Sequence, residues 1–161
     1  MEIFTVTEKD IQTTSNFAKN VFVDYYIDLI GLDQATYMAN LFLSEQAIAN
    51  LIKDNAVFKI VKQDNQIIGF YEYKKEDERI FLSKLYVDKN YRHSKVGSFM
   101  FNDLCTIAKN EGVKSIYLTV NKHNTPSYNI YLHWGFKVID SVVNDIGNNY
   151  VMDDYIMEYY L

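Results

Sequence analysis

The sequence predicts an α/β (α+β) fold in which a mixed central sheet of about seven strands is flanked by about four helices. Three observations point to it. Short apolar or alternating segments at Val57–Lys62, Gln66–Tyr73 and Ile80–Val87 follow one another with only polar turns between them, which makes an antiparallel run. A helical period then separates Ile80–Val87 from the strand-like Ser115–Val120, so these two strands are parallel neighbours in a β-α-β unit. The tail from Phe136 to Tyr159 reads as two further strands around the turn at 146–149.

Taken in order, Glu2–Val6 alternates as a first strand. Thr7 and Asp10 supply an N-cap and an acidic first turn for a helix through about Val23, with Ile11, Phe17, Ala18, Val21 and Phe22 as its apolar stripe. Asp24–Leu32, which mixes Tyr25, Tyr26, Asp28 and Gly31, reads as a break between helical pieces. A second helical region covers about Gln34 to Lys53, with a restart at Ser44. Asp64-Asn65 is a hairpin turn, and residues 74–78 are polar enough for the next one. Val96, Phe99, Met100, Leu104, Ile107 and Ala108 fall on one face of a helix that Gly112 stops. Before the last helix, Thr125 is a candidate cap and Pro126 suits its first position; Gly135 ends it.

The 161 residues form a single domain, 1–161, large enough for a core without metal or disulfide. One proline and six glycines leave no tract resembling a linker. Aromatic residues make up 16 % of the chain, so pockets walled by rings are expected beside strands packed with Tyr. A net charge of −5 with no basic block argues against nucleic-acid binding and favours cationic small molecules as partners. The start lacks a basic segment followed by an apolar core, and no run has the length of a membrane span, which suggests a cytoplasmic protein without a membrane partner. Cys105, the single cysteine, reads as a buried thiol on a helix rather than a nucleophile. His93, His123 and His133 are not spaced as a metal set, so no metal is expected.

Two motifs carry chemistry. In the first, the Ile80–Val87 strand runs into a polar loop with Ser94 and Ser98 around Gly97, and a helix starts at Val96. Free N–H groups and the positive dipole end of that helix would suit a diphosphate. In the second, Asn124, Ser127 and Tyr131 lie at steps of three and four and share one helix face.

Together these motifs resemble the GCN5-related N-acetyltransferase (GNAT) superfamily. Arg92-His93-Ser94-Lys95-Val96-Gly97 is similar to its (Q/R)xxGx(G/A) loop, and Leu85-Tyr86-Val87 to the strand that lines the pantetheine arm. Lys95 stands where the family usually has its first glycine; if positive φ is needed there, Lys costs about 1 kcal/mol relative to Gly. Its ammonium could add charge near the phosphates. Asn124, Ser127, Tyr131, Gly135 and Phe136 are similar to the family's NxxAxxxYxxxGF motif, with Ser in place of the common Ala.

The resemblance implies acetyl-CoA as cosubstrate, bound by Leu85, Tyr86, Val87, the loop from Arg92 through His93, Ser94, Lys95, Val96 and Gly97 to Ser98, and Asn124, Ser127 and Tyr131. It implies Tyr131 as general acid toward the coenzyme sulfur. A phenol of pKa about 10 suits a thiolate whose acid titrates near 8.5. It also implies an oxyanion donor on the backbone near Val87, at a strand bulge.

The same resemblance implies that an amine acceptor enters between the first two helices and the sheet, near Tyr25, Tyr26, Asp28, Asp33 and Glu72. Many relatives place a carboxylate where this chain has Ser83, beside Lys84, so Glu72 is the candidate base. The acidic last strand resembles bacterial members of this kind, including PaiA-like polyamine acetyltransferases. The implied activity is transfer of acetyl to a primary amine of a small molecule, such as a polyamine, or of a peptide, by direct attack in a ternary complex. A non-catalytic acyl-CoA sensor or scaffold with the same fold is the alternative that Lys95 and Ser83 keep open. A Rossmann-type nucleotide binder fails on topology, because no GxGxxG opens the chain and antiparallel strands come first. Exposed Tyr and Phe in the last strands would suit a homodimer contact.

Overall fold

A computed structural model describes all 161 residues. Its order is β1 (Glu2–Thr5), α1 (Ile11–Ile30), α2 (Leu32–Leu43), α3 (Glu45–Lys53), β2 (Val57–Gln63), β3 (Gln66–Lys75) and β4 (Arg79–Val87), then α4 (Val96–Glu111), β5 (Ser115–Asn121), α5 (Thr125–Trp134), β6 (Lys137–Gly147) and β7 (Tyr150–Tyr160). The seven strands form one sheet in the order β1-β2-β3-β4-β5-β7-β6. Only β4 and β5 are parallel, as the β-α-β spacing requires. The final strand returns between β5 and β6.

Local chemistry explains most boundaries. Asp64 (φ 51) and Asn65 (φ 66) close one hairpin, and Asn148 (φ 55) and Asn149 (φ 63) close the last. Both pairs have positive φ at the two central positions, the twist that two-residue hairpins favour. Ser44 caps α3 by accepting a hydrogen bond from the Ala47 N–H at 3.1 Å. One boundary differs from expectation: α1 continues to Ile30 and breaks only at Gly31, whose φ of 83 and ψ of 162 no helix can continue. Asp24–Ile30 holds the helix because Phe22, Tyr26 and Ile30 repeat at steps of four and continue its apolar row through the polar residues between them.

The sheet has a core on each face. On one, α4 packs Val96, Met100, Leu104 and Ala108 against Ile80, Leu82, Ile116, Leu118 and Val120. Each of those strand side chains contributes roughly 1.5–3 kcal/mol by leaving water. On the other, α1–α3 pack Ala18, Phe22, Met38, Leu43 and Ile48 against Phe58, Ile60 and Phe70. Gly69 matters to the first core: a Cβ there would lie 3.2 Å from the Tyr86 carbonyl oxygen and 3.3 Å from Val96 Cγ1, so its absence lets the start of α4 approach the sheet. Cys105 is a half-buried free thiol whose pKa burial pushes up. Of the Tyr and Phe rings expected to be exposed in the last strands, only Tyr160 is exposed, whereas Phe136, just before β6, is buried. No helix is long and apolar enough to cross a membrane.

Two irregularities shape the site. β4 and β5 pair only from Arg79↔Ser115 to Phe81↔Tyr117, and then diverge. Each keeps its other neighbour, β4 through Gly69↔Val87 and β5 through Asn121↔Asp154. The second is a bulge. Glu72 faces Lys84 and Tyr73 faces Leu82, which leaves Ser83 as the extra residue on β4. The expected bulge near Val87 is therefore at Ser83, and Val87 is regularly paired with Gly69. The extra residue turns both Ser83 and Lys84 to the face shared by α1 and α2.

Candidate active site

The loop before α4 does what its sequence requires. Lys95 is the N-cap residue at φ 66 and ψ 16, and His93 is also left-handed at φ 65. Helix bonding resumes at Phe99, whose N–H donates to the Lys95 carbonyl at 3.0 Å, so the N–H groups of Val96, Gly97 and Ser98 lie free ahead of it. His93, Ser94 and Lys95 are exposed, and neither Lys95 nor Arg92 is paired with a carboxylate. Arg92 donates from Nε to the Val87 carbonyl at 3.3 Å and lays its guanidinium 5.1 Å from the Tyr25 ring centre. Gly97 is not left-handed; a Cβ there would make ordinary contact, 3.6 Å, with Trp134, which stacks on Phe101. This cationic, N–H-rich loop fits a diphosphate.

Beyond the loop, the divergence of β4 from β5 opens a narrow slot of about 30 Å3. Leu82–Tyr86 form one wall, Leu118–Val120 the other, and Asn124, Ser127 and Tyr131 of α5 close it together with Tyr26. The α5 triplet therefore does share one face, and that face lines the slot. Asn124, not Thr125, caps α5: its Oδ1 accepts from the Ser127 N–H at 3.4 Å, and Pro126 falls one position further in. Tyr25 reaches over from α1, and its hydroxyl lies 2.6 Å from both Asn124 Oδ1 and Ser127 Oγ. Ser127, unusual for the motif, is thus the second anchor of a contact between α1 and α5.

Tyrosine hydroxyls crowd this junction. Tyr26 and Tyr86 share a hydrogen bond of 3.1 Å. Burial pushes the Tyr26 phenol up to about 12, and raises Tyr86 and Tyr131 well above the usual phenol value. All three stay protonated at neutral pH, so each keeps an O–H proton to donate. No protein group hydrogen-bonds the Tyr131 hydroxyl, which leaves it available to a ligand atom in the slot.

On the far side of the sheet lies a cavity of about 380 Å3 between α1, α2 and the strands β4–β7. It shares Tyr26, Ser83, Lys84, Tyr86 and Thr119 with the slot, so the two spaces meet through the split in the sheet. Rings and Met side chains dominate its walls. Its charged members are Lys84 and Asp154.

The structure does not bring every expected acceptor residue to this cavity. Asp28 and Asp33 are exposed, and Tyr25 points to α5 instead. Glu72 is buried but does not line the space, because Lys84 Nζ holds its Oε1 at 2.5 Å beneath it. Asp154 was missed. It is 3 % exposed, and burial, with Asp153 adding to it and Lys122 opposing, pushes its carboxyl up to about 6. The available signal was its spacing of two residues from both Met152 and Ile156, which puts it on their face of the strand. No group of three or more His, Cys, Asp or Glu side chains is arranged around a common point for a metal.

Comparison with known proteins agrees with this geometry. Residues 21–136 match the family described as Acetyltransferase (GNAT) family. A spermidine N(1)-acetyltransferase of Thermoplasma acidophilum is 22 % identical over 158 residues, covering 95 % of this chain and 96 % of that protein. The crystal structure of a PaiA N-acetyltransferase from Thermoplasma acidophilum in complex with coenzyme A superposes with a TM-score of 0.84 at 24 % identity, covering 99 % of this chain and 98 % of that one. A ribosomal-protein-alanine N-acetyltransferase from Brucella melitensis superposes at 0.69 with 17 % identity and covers the whole of both chains. The fold is therefore common to proteins whose named acceptors differ widely.

Proposed function

Since the chain belongs to the GNAT acetyltransferase family, we propose that it transfers an acetyl group from acetyl-CoA to a primary amine by direct attack in a ternary complex. One observation carries the reading: the slot on the α5 side opens into the cavity on the α1 and α2 side, so a thioester in the first would meet an amine in the second. Bound acetyl-CoA supplies the activated acyl group. Arg92, Lys95 and the free N–H groups of Val96, Gly97 and Ser98 would hold its diphosphate, with His93 and Ser94 beside them. Leu85, Tyr86 and Val87 would line the pantetheine arm together with Asn124 and Ser127. The unpaired Tyr131 hydroxyl, kept protonated by burial, would return a proton to the departing sulfur. Glu72 enters this scheme through Lys84, whose charge it neutralises at the cavity floor. Cys105, half-buried on α4 with a raised pKa, has no place in it.

The acceptor named for the Thermoplasma relative makes spermidine the first amine to assay. Calorimetric titration with acetyl-CoA, followed by thiol release against a panel of amines, tests the proposal. Micromolar binding with amine-dependent release is expected. Tyr131→Phe should lower kcat by at least about a hundredfold and leave coenzyme affinity nearly unchanged. Binding without release from any amine would favour the acyl-CoA sensor, and no binding would remove the loop from the scheme.

A further inference from the structure

We propose that Asp154 receives the ammonium of the acceptor and takes its proton, and that this acceptor is a singly charged amine with an aromatic or aliphatic arm rather than a polyamine. The inference rests on the acetyl-transfer reading and deepens it.

The cavity states its preference through its walls. Phe22 and Tyr26 of α1, Met38 and Phe42 of α2, and Phe81 and Tyr86 of β4 enclose it. At about 380 Å3 it lies in the range of small-ligand sites. Its only carboxylate is Asp154, and its only cation, Lys84, is already matched by Glu72 at 2.5 Å. One ammonium can therefore be neutralised inside. A second or third would face rings, Met side chains and the lysine, without the pairing that a buried charge requires.

Asp154 also sits where such a group is needed. It pairs across the sheet with Asn121, the last residue of β5, at the end of the split that joins slot and cavity. It is buried, lines the cavity and receives no hydrogen bond from the protein. A carboxylate buried without a partner is costly unless a cationic ligand completes it. Burial brings its pKa to about 6, nearer to that of a useful proton acceptor than an ordinary Asp. The step balances. The ammonium gives one proton to Asp154, and the neutral amine forms the C–N bond as the C–S bond of acetyl-CoA breaks. The second nitrogen proton ends on the sulfur by way of Tyr131, and Asp154 releases its proton to solvent.

The test uses 2-phenylethylamine, hexylamine and spermidine, with two readouts. Binding to the intact protein without acetyl-CoA is measured by calorimetry, and thiol release is measured with it. Both monoamines should bind and react in preference to spermidine, and Asp154→Asn should weaken their binding at least tenfold. Asn144→Asp, on an exposed position of the same cavity, should shift the ratio of kcat/KM toward spermidine at least severalfold by adding a second carboxylate. A wild-type preference for spermidine, or monoamine binding unchanged in Asp154→Asn, would overturn the proposal while leaving acetyl transfer intact. Monoamine binding lost in Asp154→Asn, with no thiol release from any amine in the wild type, would uphold the amine site and sink the transferase reading instead.

Discussion

Lys95 occupies a left-handed position, φ 66, at the start of the helix whose free N–H groups form the anion site. A side chain there costs about 1 kcal/mol relative to glycine. The charge has a use that the strain does not remove, because no carboxylate pairs with it. Lys95→Gly is therefore expected to move two measurements in opposite directions. The urea midpoint should rise by the equivalent of up to about 1 kcal/mol, while coenzyme affinity should fall a few-fold, and less at high salt. Asp154 makes the same kind of exchange through burial. Its folded pKa of about 6 exceeds the 3.8 of an ordinary aspartate, so its contribution to stability is fully present below about 3.8 and is lost as pH rises through about 6. The groups around it are Tyr26 on α1, Lys84 and Tyr86 on β4, Lys122 after β5 and Asp153 beside it. Asp154→Asn should match the wild type in unfolding free energy near pH 4 and exceed it at pH 8 by about 2 kcal/mol, which appears as a higher melting temperature at pH 8 alone. Equal melting temperatures at both pH values would show that the carboxylate is better solvated than its burial indicates.

Among the elements, α1 and α5 are far apart in sequence and joined at the slot by one hydroxyl. Tyr25 lies 2.6 Å from both Asn124 Oδ1 and Ser127 Oγ, and Arg92 covers its ring. Tyr25→Phe and Ser127→Ala should each cost about 1 kcal/mol, and the double variant should cost less than their sum, with a coupling of about 0.5–1 kcal/mol in denaturant melts. Strict additivity would mean that Asn124 alone holds the tyrosine. This contact also shows what the sequence could and could not disclose. The faces were legible: Asn124, Ser127 and Tyr131 had to lie together, and the loop from Arg92 to Ser98 had to open a helix. What each face meets was not. The Ser83 bulge turns Lys84 onto the cavity face, where it takes Glu72 away from the role expected of it. The return of β7 between β5 and β6 brings Asp154 beside Asn121. Register and strand order are long-range properties, and no local periodicity encodes them.

In the whole molecule, the sheet behaves as two pieces, β1–β4 and β5–β7, that share strand hydrogen bonds only near Arg79–Phe81 and Ser115–Tyr117. Helices bridge the rest: α4 packs across the split on one face, and the Tyr25 contact crosses it on the other. A ligand in the slot would therefore touch both pieces at once, and its binding energy should appear as stiffening of their junction. Coenzyme A at a hundred times its Kd is expected to raise global stability by about 2.7 kcal/mol. Amide hydrogen exchange should localise the effect further. Residues 82–87 and 118–121, which border the split, should gain more protection than β2 or α3, whose stability comes from the opposite core. The loop at 92–98 should slow with them as its N–H groups find acceptors. Uniform slowing across all seven strands would mean that the pieces already unfold as one unit and that the three shared register pairs suffice to couple them. Protection confined to the loop would place the ligand on the anion site alone, outside the split.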